Sequence, residues 1–541
     1  MTTTTRPAAG SAADLMLGDD AVALGALHAG ISNAYAYPGT PSTEIFARLI
    51  REAAAGSAVI AHWCTNEKSA FEGAIGASLA GRRALVTMKH VGLNVAMDPF
   101  VNAALVGLGG GIVLAVADDP GMHSSQNEQD SRCLADFARV PCFEPATAQE
   151  AYDLTREAFV VSERLQVPVL VRLVTRLCHE RSMVRTAPPE PPKPLHKAGP
   201  RQDWVLLPAN ARRLWGELLA LQDEMRLANE ASAHNRRTDG AGRRGVLTTG
   251  IGRRYFGEVL PEMTARPPHL HIGTFPLPKD LVRAFAADLD SMLVLEDGYP
   301  YVERQLPGLV PSRCKILGRE SGALPAAGEL NVVNVRAAFG LPALQLHESV
   351  LLNVPARPPR LCDGCVHRDS YAAMQQVIAD LGIGAITGDI GCYTLGALPP
   401  YEAIDSCVCM GASIGMAKGA SDAGLRPAVA VIGDSTFLHS GIPPLIDAIG
   451  HDTDMTVLIL DNETTAMTGG QPTALPTSRL MPVVLGLGVD PAHVHLFSAH
   501  PRKVQELAAL IKQEIAHAGL SVIVVQRECV QAARQRKKHE S

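Results

Sequence analysis

The sequence has no surplus of charge of either sign: 49 Lys and Arg stand against 55 Asp and Glu, a formal net charge of -6. An electrostatic nucleic-acid binder needs a basic surplus, so that class is excluded. Charged residues are also sparse, 19% against 47% hydrophobic, which excludes a disordered chain. Basic side chains gather only at residues 534–538, a run that reads as a solvated tail. No apolar stretch follows Arg6 in the Thr- and Ala-rich start, so no secretory signal is expected and the chain is placed in the cytoplasm. Apolar runs of membrane length are missing too. Residues 100–117 come nearest, but Gly107, Gly109, Gly110 and Gly111 divide them and Asp118-Asp119-Pro120-Gly121 ends them. A buried helix followed by a buried strand is the expectation there, with no membrane. Eleven cysteines without a secretory context argue against a disulfide framework and leave metal ligation or simple burial.

At 541 residues the chain exceeds what one core can organise, and two proline-rich stretches divide it. Residues 186–203, with Pro188, Pro189, Pro191, Pro192, Pro194 and Pro200, and residues 354–360, with Pro355, Pro358 and Pro359, fit neither helix nor central strand and are expected as linkers. Between them, short aliphatic runs without period-2 alternation stop at small or acidic residues: 84–88, 111–118, 167–174, 292–296, 428–433, 455–460 and 521–526. Such runs fit strands buried on both faces of a parallel sheet. The expected fold class is α/β, three domains with mainly parallel sheets at 12–185, 204–353 and 361–535, then a tail at 536–541. Ligands should sit at the carboxyl ends of the strands. The polar excursion 228–244 reads as a surface loop of the middle domain.

Three strand ends carry chemistry. The run 428–432 enters Gly433-Asp434-Ser435, and the run 456–460 enters Asp461-Asn462-Glu463-Thr464. Asp and Asn oxygens with a carbonyl and phosphate oxygens make a suitable shell for Mg²⁺, and the glycine lets phosphate approach the backbone. In the front segment, Tyr37-Pro38-Gly39-Thr40-Pro41-Ser42-Thr43-Glu44 is a strand-to-helix turn, with Thr40 expected as N-cap and Pro41 at the first helical position. Asn66-Glu67-Lys68 opens a helix whose next turns carry the small residues Ala70, Gly73, Ala74, Gly76 and Ala77. Glu67 alone would be ordinary helix-start electrostatics. Lys89 and His90 follow a strand, where a cation could meet an acid; a structural role for His90 fits equally well, and one for His123 fits better. Cys362-Asp363-Gly364-Cys365 has a spacing shared by zinc sites, redox disulfides and clusters.

Together these strings resemble the indolepyruvate branch of the thiamine-diphosphate-dependent 2-oxoacid:ferredoxin oxidoreductases. The resemblance rests on Tyr37 to Ser42, on Thr87-Met88-Lys89-His90-Val91-Gly92-Leu93-Asn94, on residues 117–129 and on residues 434–469, and so covers nearly the whole chain. It implies that the first and last domains are thiamine-diphosphate folds of pyrimidine and diphosphate type, around a transketolase C-terminal-like middle domain. Glu67 would be the activating carboxylate beside the aminopyrimidine, with Thr40, Lys89 and His90 toward the substrate. Asp434, Asn462 and the Thr464 carbonyl would hold magnesium, while Gly411, Ser413, Gly433, Ser435 and Met467 line the cofactor. Cys392, in Gly388-Asp389-Ile390-Gly391-Cys392, and Cys529 would join Cys362 and Cys365 around one [4Fe-4S] cluster. Cys64, Cys133, Cys142, Cys178, Cys314, Cys407 and Cys409 lack such spacing and are expected as buried small hydrophobes.

The resemblance further implies oxidative decarboxylation of an arylpyruvate to its acyl-CoA, with a smaller beta subunit as partner in a heterotetramer. Two departures stand out. Relatives continue into a domain with two dense cysteine runs, whereas this sequence stops soon after Cys529. Electrons are therefore expected to pass to a partner subunit, a separate ferredoxin or another acceptor. Relatives also carry histidines where Gly470 and Thr473 stand here, which bears on the substrate. The competing expectations are a non-oxidative thiamine-dependent decarboxylase or carboligase, and a silent scaffold subunit.

Overall fold

The computed structural model describes residues 13–344, 359–381 and 384–540. Two compact units emerge, Met1–Glu348 and Ser349–Ser541. Most of the second expected linker, residues 354–358, lies outside the described residues.

The first unit is built on a seven-stranded sheet ordered Thr274–Phe275, Cys142–Phe143, Val169–Val174, Ile112–Asp118, Ala84–Lys89, Asn33–Ala36, Ile60–Trp63. All neighbours are parallel except Thr274–Phe275, an antiparallel edge contributed by the middle segment. Ile112–Asp118 and Val169–Val174 are buried along their whole length, as helices on both faces require. Chain order reverses beside Asn33–Ala36: the next strand, Ile60–Trp63, lies on one side and the one after, Ala84–Lys89, on the other. A crevice opens at the carboxyl ends of strands that diverge in this way. A second sheet of five strands follows the order Lys315–Leu317, Ser291–Leu295, Arg244–Thr249, His269–Ile272, Arg236–Thr238, parallel except for the last.

The excursion at 228–244 is not a plain loop. The helix Pro208–Glu230 runs into it, and Arg236–Thr238 pairs as an edge strand. Its polarity follows from that edge position, since Arg236 and Arg237 face solvent. Buried Asn235 fixes the intervening turn: its Oδ1 accepts from the Gly273 and Thr274 amides at 2.9 and 3.1 Å. Residues 186–203 run along the front segment, the Glu190, His196 and Ala198 amides donating to the carbonyls of His28, Ala80 and Leu79.

The second unit holds a six-stranded, wholly parallel sheet ordered Ser406–Cys407, Ala385–Gly388, Ala428–Gly433, Met455–Asp461, Leu520–Gln526, Val494–Ser498. Its reversal falls between Ala385–Gly388 and Ala428–Gly433, which puts Asp389 and Asp434 at the mouth of the crevice. Residues 536–540, expected as a tail, instead continue the helix Val530–Glu540; Arg, Gln, Lys and Glu are good helix formers and carry the turn onward. Among the described residues no helix is long and apolar enough to cross a membrane.

Candidate active site

In the first unit, three strand ends bring Thr40, Glu67 and Lys89 together. Glu67 begins the helix Glu67–Leu79, whose N-cap residue Asn66 accepts from the Ser69 amide at 2.9 Å. The glutamate is 4% exposed. Its carboxyl lies against the helix His90–Ala103 at Gly92, so closely that a Cβ there would sit 2.4 Å from Glu67 Oε1. Only a residue without a side chain leaves that carboxyl its place.

Lys89 sits across from it. Burial pushes the ammonium down to about 8, although Asp119 and Glu67 both favour its charged form. Its Nζ donates to the Ser124 carbonyl at 2.9 Å, and Ser124 Oγ donates to the Thr40 carbonyl at 3.3 Å. Gly39 makes room for the lysine stem, since a Cβ there would meet Lys89 Cγ at 3.0 Å. His90 is fully buried, with Nε2 3.2 Å from the Asn127 carbonyl and Nδ1 without a hydrogen-bond partner. Burial pushes its pKa down, so it is neutral and braces the 120s loop. His123 pairs with Glu329 at 3.2 Å.

The expected helix start is displaced. The helix runs Thr43–Ala54 after Ser42, because Ser42 Oγ donates to the Gly39 carbonyl and Thr43 Oγ1 accepts the Gly39 amide, at 2.8 and 3.0 Å. These bonds close residues 39–42 into a turn of their own and leave Thr40 outside the helix rather than as its cap.

The second unit gathers the other acids. Gly433 precedes the helical turn Asp434–Thr436, and a Cβ on it would lie 2.6 Å from Tyr393 Cε1. Asp434 is 4% exposed, and its Oδ2 has no hydrogen-bond partner. Burial first, then the nearby charge of Asp461, pushes its pKa well up. The two are neighbours because their strands pair, Gly433 opposite Leu460. Asn462 Oδ1 accepts from the Thr464 amide at 3.1 Å, and Asn462 Nδ2 is 3.4 Å from His367 Nε2. Thr465 Oγ1 donates to Ser435 Oγ at 3.0 Å, which joins the two loops. A buried carboxylate oxygen without a donor, beside a second carboxylate and an amide oxygen, suits a hard divalent cation.

Asp389 was not singled out by the sequence reading, yet it organises this crevice. Ser413 Oγ donates to its Oδ2 at 2.6 Å, the Ser413 amide does so at 3.3 Å, and the Tyr393 hydroxyl donates to Oδ1. Burial pushes Asp389 up to about 6. Its signal was available, since Gly388-Asp389 repeats the strand-end pattern of Gly433-Asp434. Gly411 has φ +82° and leaves no space for a Cβ, which would be 2.6 Å from Ser440 Cβ. Met467, in the turn Ala466–Thr468, is half exposed.

The fold brings Cys362, Cys365, Cys392 and Cys529 into one group. Burial pushes Cys392 up to about 12, and the three other sulfurs add to the effect. Among the described residues, the one His, Cys, Asp and Glu group whose ligand atoms all lie within 4.8 Å is Asp19, Glu44 and His179. The four sulfurs are thus spread wider than the edges of about 3.8 Å that zinc–sulfur bonds of about 2.3 Å would impose. Gln531 Nε2 donates to Cys362 Sγ at 3.4 Å. The Cys529 amide donates to the Asn462 carbonyl at 3.2 Å, and the Arg527 amide to the Asp461 carbonyl at 3.1 Å. Of the remaining cysteines, Cys142, Cys178 and Cys314 are buried as expected. Cys64 is half-buried, and Cys133, Cys407 and Cys409 are exposed, contrary to expectation. Cys407 ends a two-residue edge strand and Cys133 sits on an outward position of a short helix, where nothing covers them.

Known proteins share this arrangement of sequence. The model for the pyruvate flavodoxin/ferredoxin oxidoreductase thiamine diphosphate-binding domain matches residues 24–204, and that for the C-terminal TPP-binding domain of thiamine pyrophosphate enzymes matches residues 389–525. Indolepyruvate oxidoreductase subunit IorA of Archaeoglobus fulgidus is 37% identical, with 95% of this chain and 86% of the relative covered. The subunits IorA of Methanothermobacter marburgensis and Pyrococcus abyssi are each 35% identical, with 95% of this chain and 86% and 85% of those relatives covered. The chain therefore belongs to the IorA family of indolepyruvate oxidoreductase subunits, and is a thiamine-diphosphate-dependent 2-oxoacid oxidoreductase.

Proposed function

We propose that the protein oxidatively decarboxylates an aryl 2-oxoacid of the indolepyruvate or phenylpyruvate class to its acyl-CoA in the cytoplasm, with a smaller beta subunit in a heterotetramer. Electrons leave singly through one [4Fe-4S] cluster to ferredoxin or another acceptor. The observation that carries this reading is the gathering of four thiols on the same sheet end as the Asp434 pocket, joined to it through the Cys529 and Asn462 backbones.

Thiamine diphosphate supplies, when bound, a sink for the electron pair that decarboxylation leaves behind. Asp434, Asn462 and the Thr464 carbonyl would hold its magnesium, with Gly411, Ser413, Gly433, Ser435 and Met467 around the diphosphate end. Cys362, Cys365, Cys392 and Cys529 would hold the cluster, which accepts electrons one at a time. Glu67 holds and releases a proton at its carboxyl oxygens, in a niche that Gly92 keeps open. Lys89, as the ammonium, attracts the substrate carboxylate and orients the oxoacid beside Thr40. Neutral His90 keeps the 120s loop in place around them.

The test is anaerobic purification with the partner subunit, iron and sulfide analysis, and reduction of methyl viologen with coenzyme A and phenylpyruvate, 4-hydroxyphenylpyruvate, indolepyruvate or pyruvate. About four irons per chain with acyl-CoA formation from the aryl acids is the expected result. An iron-free active enzyme that releases aldehyde from phenylpyruvate would establish the non-oxidative reading instead.

A further inference from the structure

The basic run 534–538, read from sequence as a solvated tail, lies on the helix whose first turn touches one of the four thiols. Residues 527–538 carry Arg527, Arg534, Arg536, Lys537 and Lys538, in a chain whose net charge is -6. Arg527 pairs with Asp369 at 2.6 Å and Arg536 with Glu528 at 3.1 Å, so the outward charge considered is that of Arg534 and Lys537. Arg534 to Lys538 are exposed on the helix Val530–Glu540. Gln531, at the start of that helix, donates to Cys362 Sγ. Steps of three place Gln531, Arg534 and Lys537 on one side of the helix. Arg534 and Lys537 thus follow the residue that touches Cys362, within about 9 Å of helix rise at about 1.5 Å per residue. A solvated tail would need no such placement. Local positive charge on a chain of net negative charge steers an acidic partner and fixes its orientation.

We infer that this helix face docks an acidic, one-electron carrier protein and sets it beside the sulfur ligands. The inference rests on the proposed oxidoreductase reading and adds to it the surface and the partner's charge. The stoichiometry follows from the electron count: one 2-oxoacid and one coenzyme A give acyl-CoA, carbon dioxide and a proton, while two oxidised carriers each take up one electron.

The test compares the holoenzyme, with its partner subunit, against Arg534→Glu/Lys537→Glu. The probes are an acidic plant-type [2Fe-2S] ferredoxin, basic cytochrome c and methyl viologen. Binding of oxidised ferredoxin to resting enzyme, read by calorimetry without substrate, should be at least tenfold weaker in the variant at low salt, and the difference should shrink as ionic strength rises. Its KM should rise to match, with viologen reduction unchanged and cytochrome c no worse. Ferredoxin binding within twofold of the parent, or an equal fall for viologen and ferredoxin, overturns the docking face. So does loss of the partner subunit from the variant on gel filtration, which would mark the helix as a subunit contact. If the parent holoenzyme reduces none of the three acceptors, the oxidoreductase reading itself falls and takes this surface with it.

Discussion

Substituting Gly92 by alanine isolates the role of Glu67 without touching its charge. In an ordinary helix interior the change stabilises by roughly 0.5–1 kcal/mol, because alanine surrenders less backbone freedom. Gly76, on the exposed side of the helix Glu67–Leu79, is the control: a Cβ there meets nothing within 4 Å, so Gly76→Ala should give that gain and leave turnover alone. At Gly92 the added methyl would lie 2.4, 2.8 and 2.9 Å from Glu67 Oε1, Cγ and Cδ. The side chain must move, and overpacking of this kind costs about 1–3 kcal/mol. Net destabilisation should therefore be roughly 0–2.5 kcal/mol, modest for so large a loss of function. A displaced carboxyl forfeits its proton transfer, worth about 100- to 10,000-fold. We expect kcat for viologen reduction to fall at least about 100-fold in Gly92→Ala, and Glu67→Gln/Gly92→Ala to be no slower than Glu67→Gln alone, since both act through one group. Urea unfolding and steady-state kinetics on the same preparations supply the numbers. A Gly92→Ala enzyme with a raised unfolding midpoint and full turnover would refute the reasoning.

Other perturbations follow from the same geometry. The Lys89 ammonium predominates below about 8 and is lost as pH rises through that value, so kcat/KM should decline on the alkaline side. In Lys89→Arg the decline should move upward, because a guanidinium stays charged, and a profile flat to about pH 10 would remove the lysine from substrate binding. Arg172→Met would strand the buried Asp118 and Glu144 carboxylates that the guanidinium binds at 2.6 and 2.5 Å. The first transition in urea should lose about 3–5 kcal/mol, and a loss below about 1 kcal/mol would show that those acids are neutral in the fold. Asp434→Asn removes a buried acid whose pKa is raised in the fold, which favours the neutral form and makes ionised Asp434 a destabilising group near neutral pH. The unfolding midpoint of metal-free protein should rise, while magnesium-dependent thiamine diphosphate binding by calorimetry falls. Unaltered binding would move the cation elsewhere.

The parallel sheets were legible because their strands are covered on both faces and so read as unbroken aliphatic runs. Ile112–Asp118 and Met455–Asp461 differ from the expected spans only at their ends. Glu67 and Asp434 stand out in the sequence for a related reason: Asp434 follows its strand directly and Glu67 opens a helix four residues after one, the ends to which sheet topology leads ligands. The start of the helix Thr43–Ala54 was not, because two hydroxyls next to one glycine offered competing caps and the side chains of Ser42 and Thr43 both turned back to Gly39. The ion network of Arg172 was beyond sequence reading altogether. Arg172 binds Asp118, Glu144 and the Asp297 carbonyl, which lie 54, 28 and 125 residues away, so no local pattern announces it. The strand-end pattern of Gly388-Asp389 is visible in sequence, but its partner Ser413, 24 residues distant, is not. The exposed cysteines were misread because composition carries no information on which edge a residue occupies.

The ladder between Met455–Asp461 and Leu520–Gln526 does not stop where the strands do. Asp461 lies opposite Gln526, and the pairing is prolonged by the Arg527 and Cys529 amides reaching the Asp461 and Asn462 carbonyls. Spacing along this stretch is consequently locked: deleting or inserting one residue between Leu520 and Cys529 would shift a thiol by a full step relative to the asparagine and flip every intervening side chain to the opposite face. Lineages of this chain should therefore vary in length in the connecting loops and helices, and hold the ten residues from Leu520 to Cys529 constant in number.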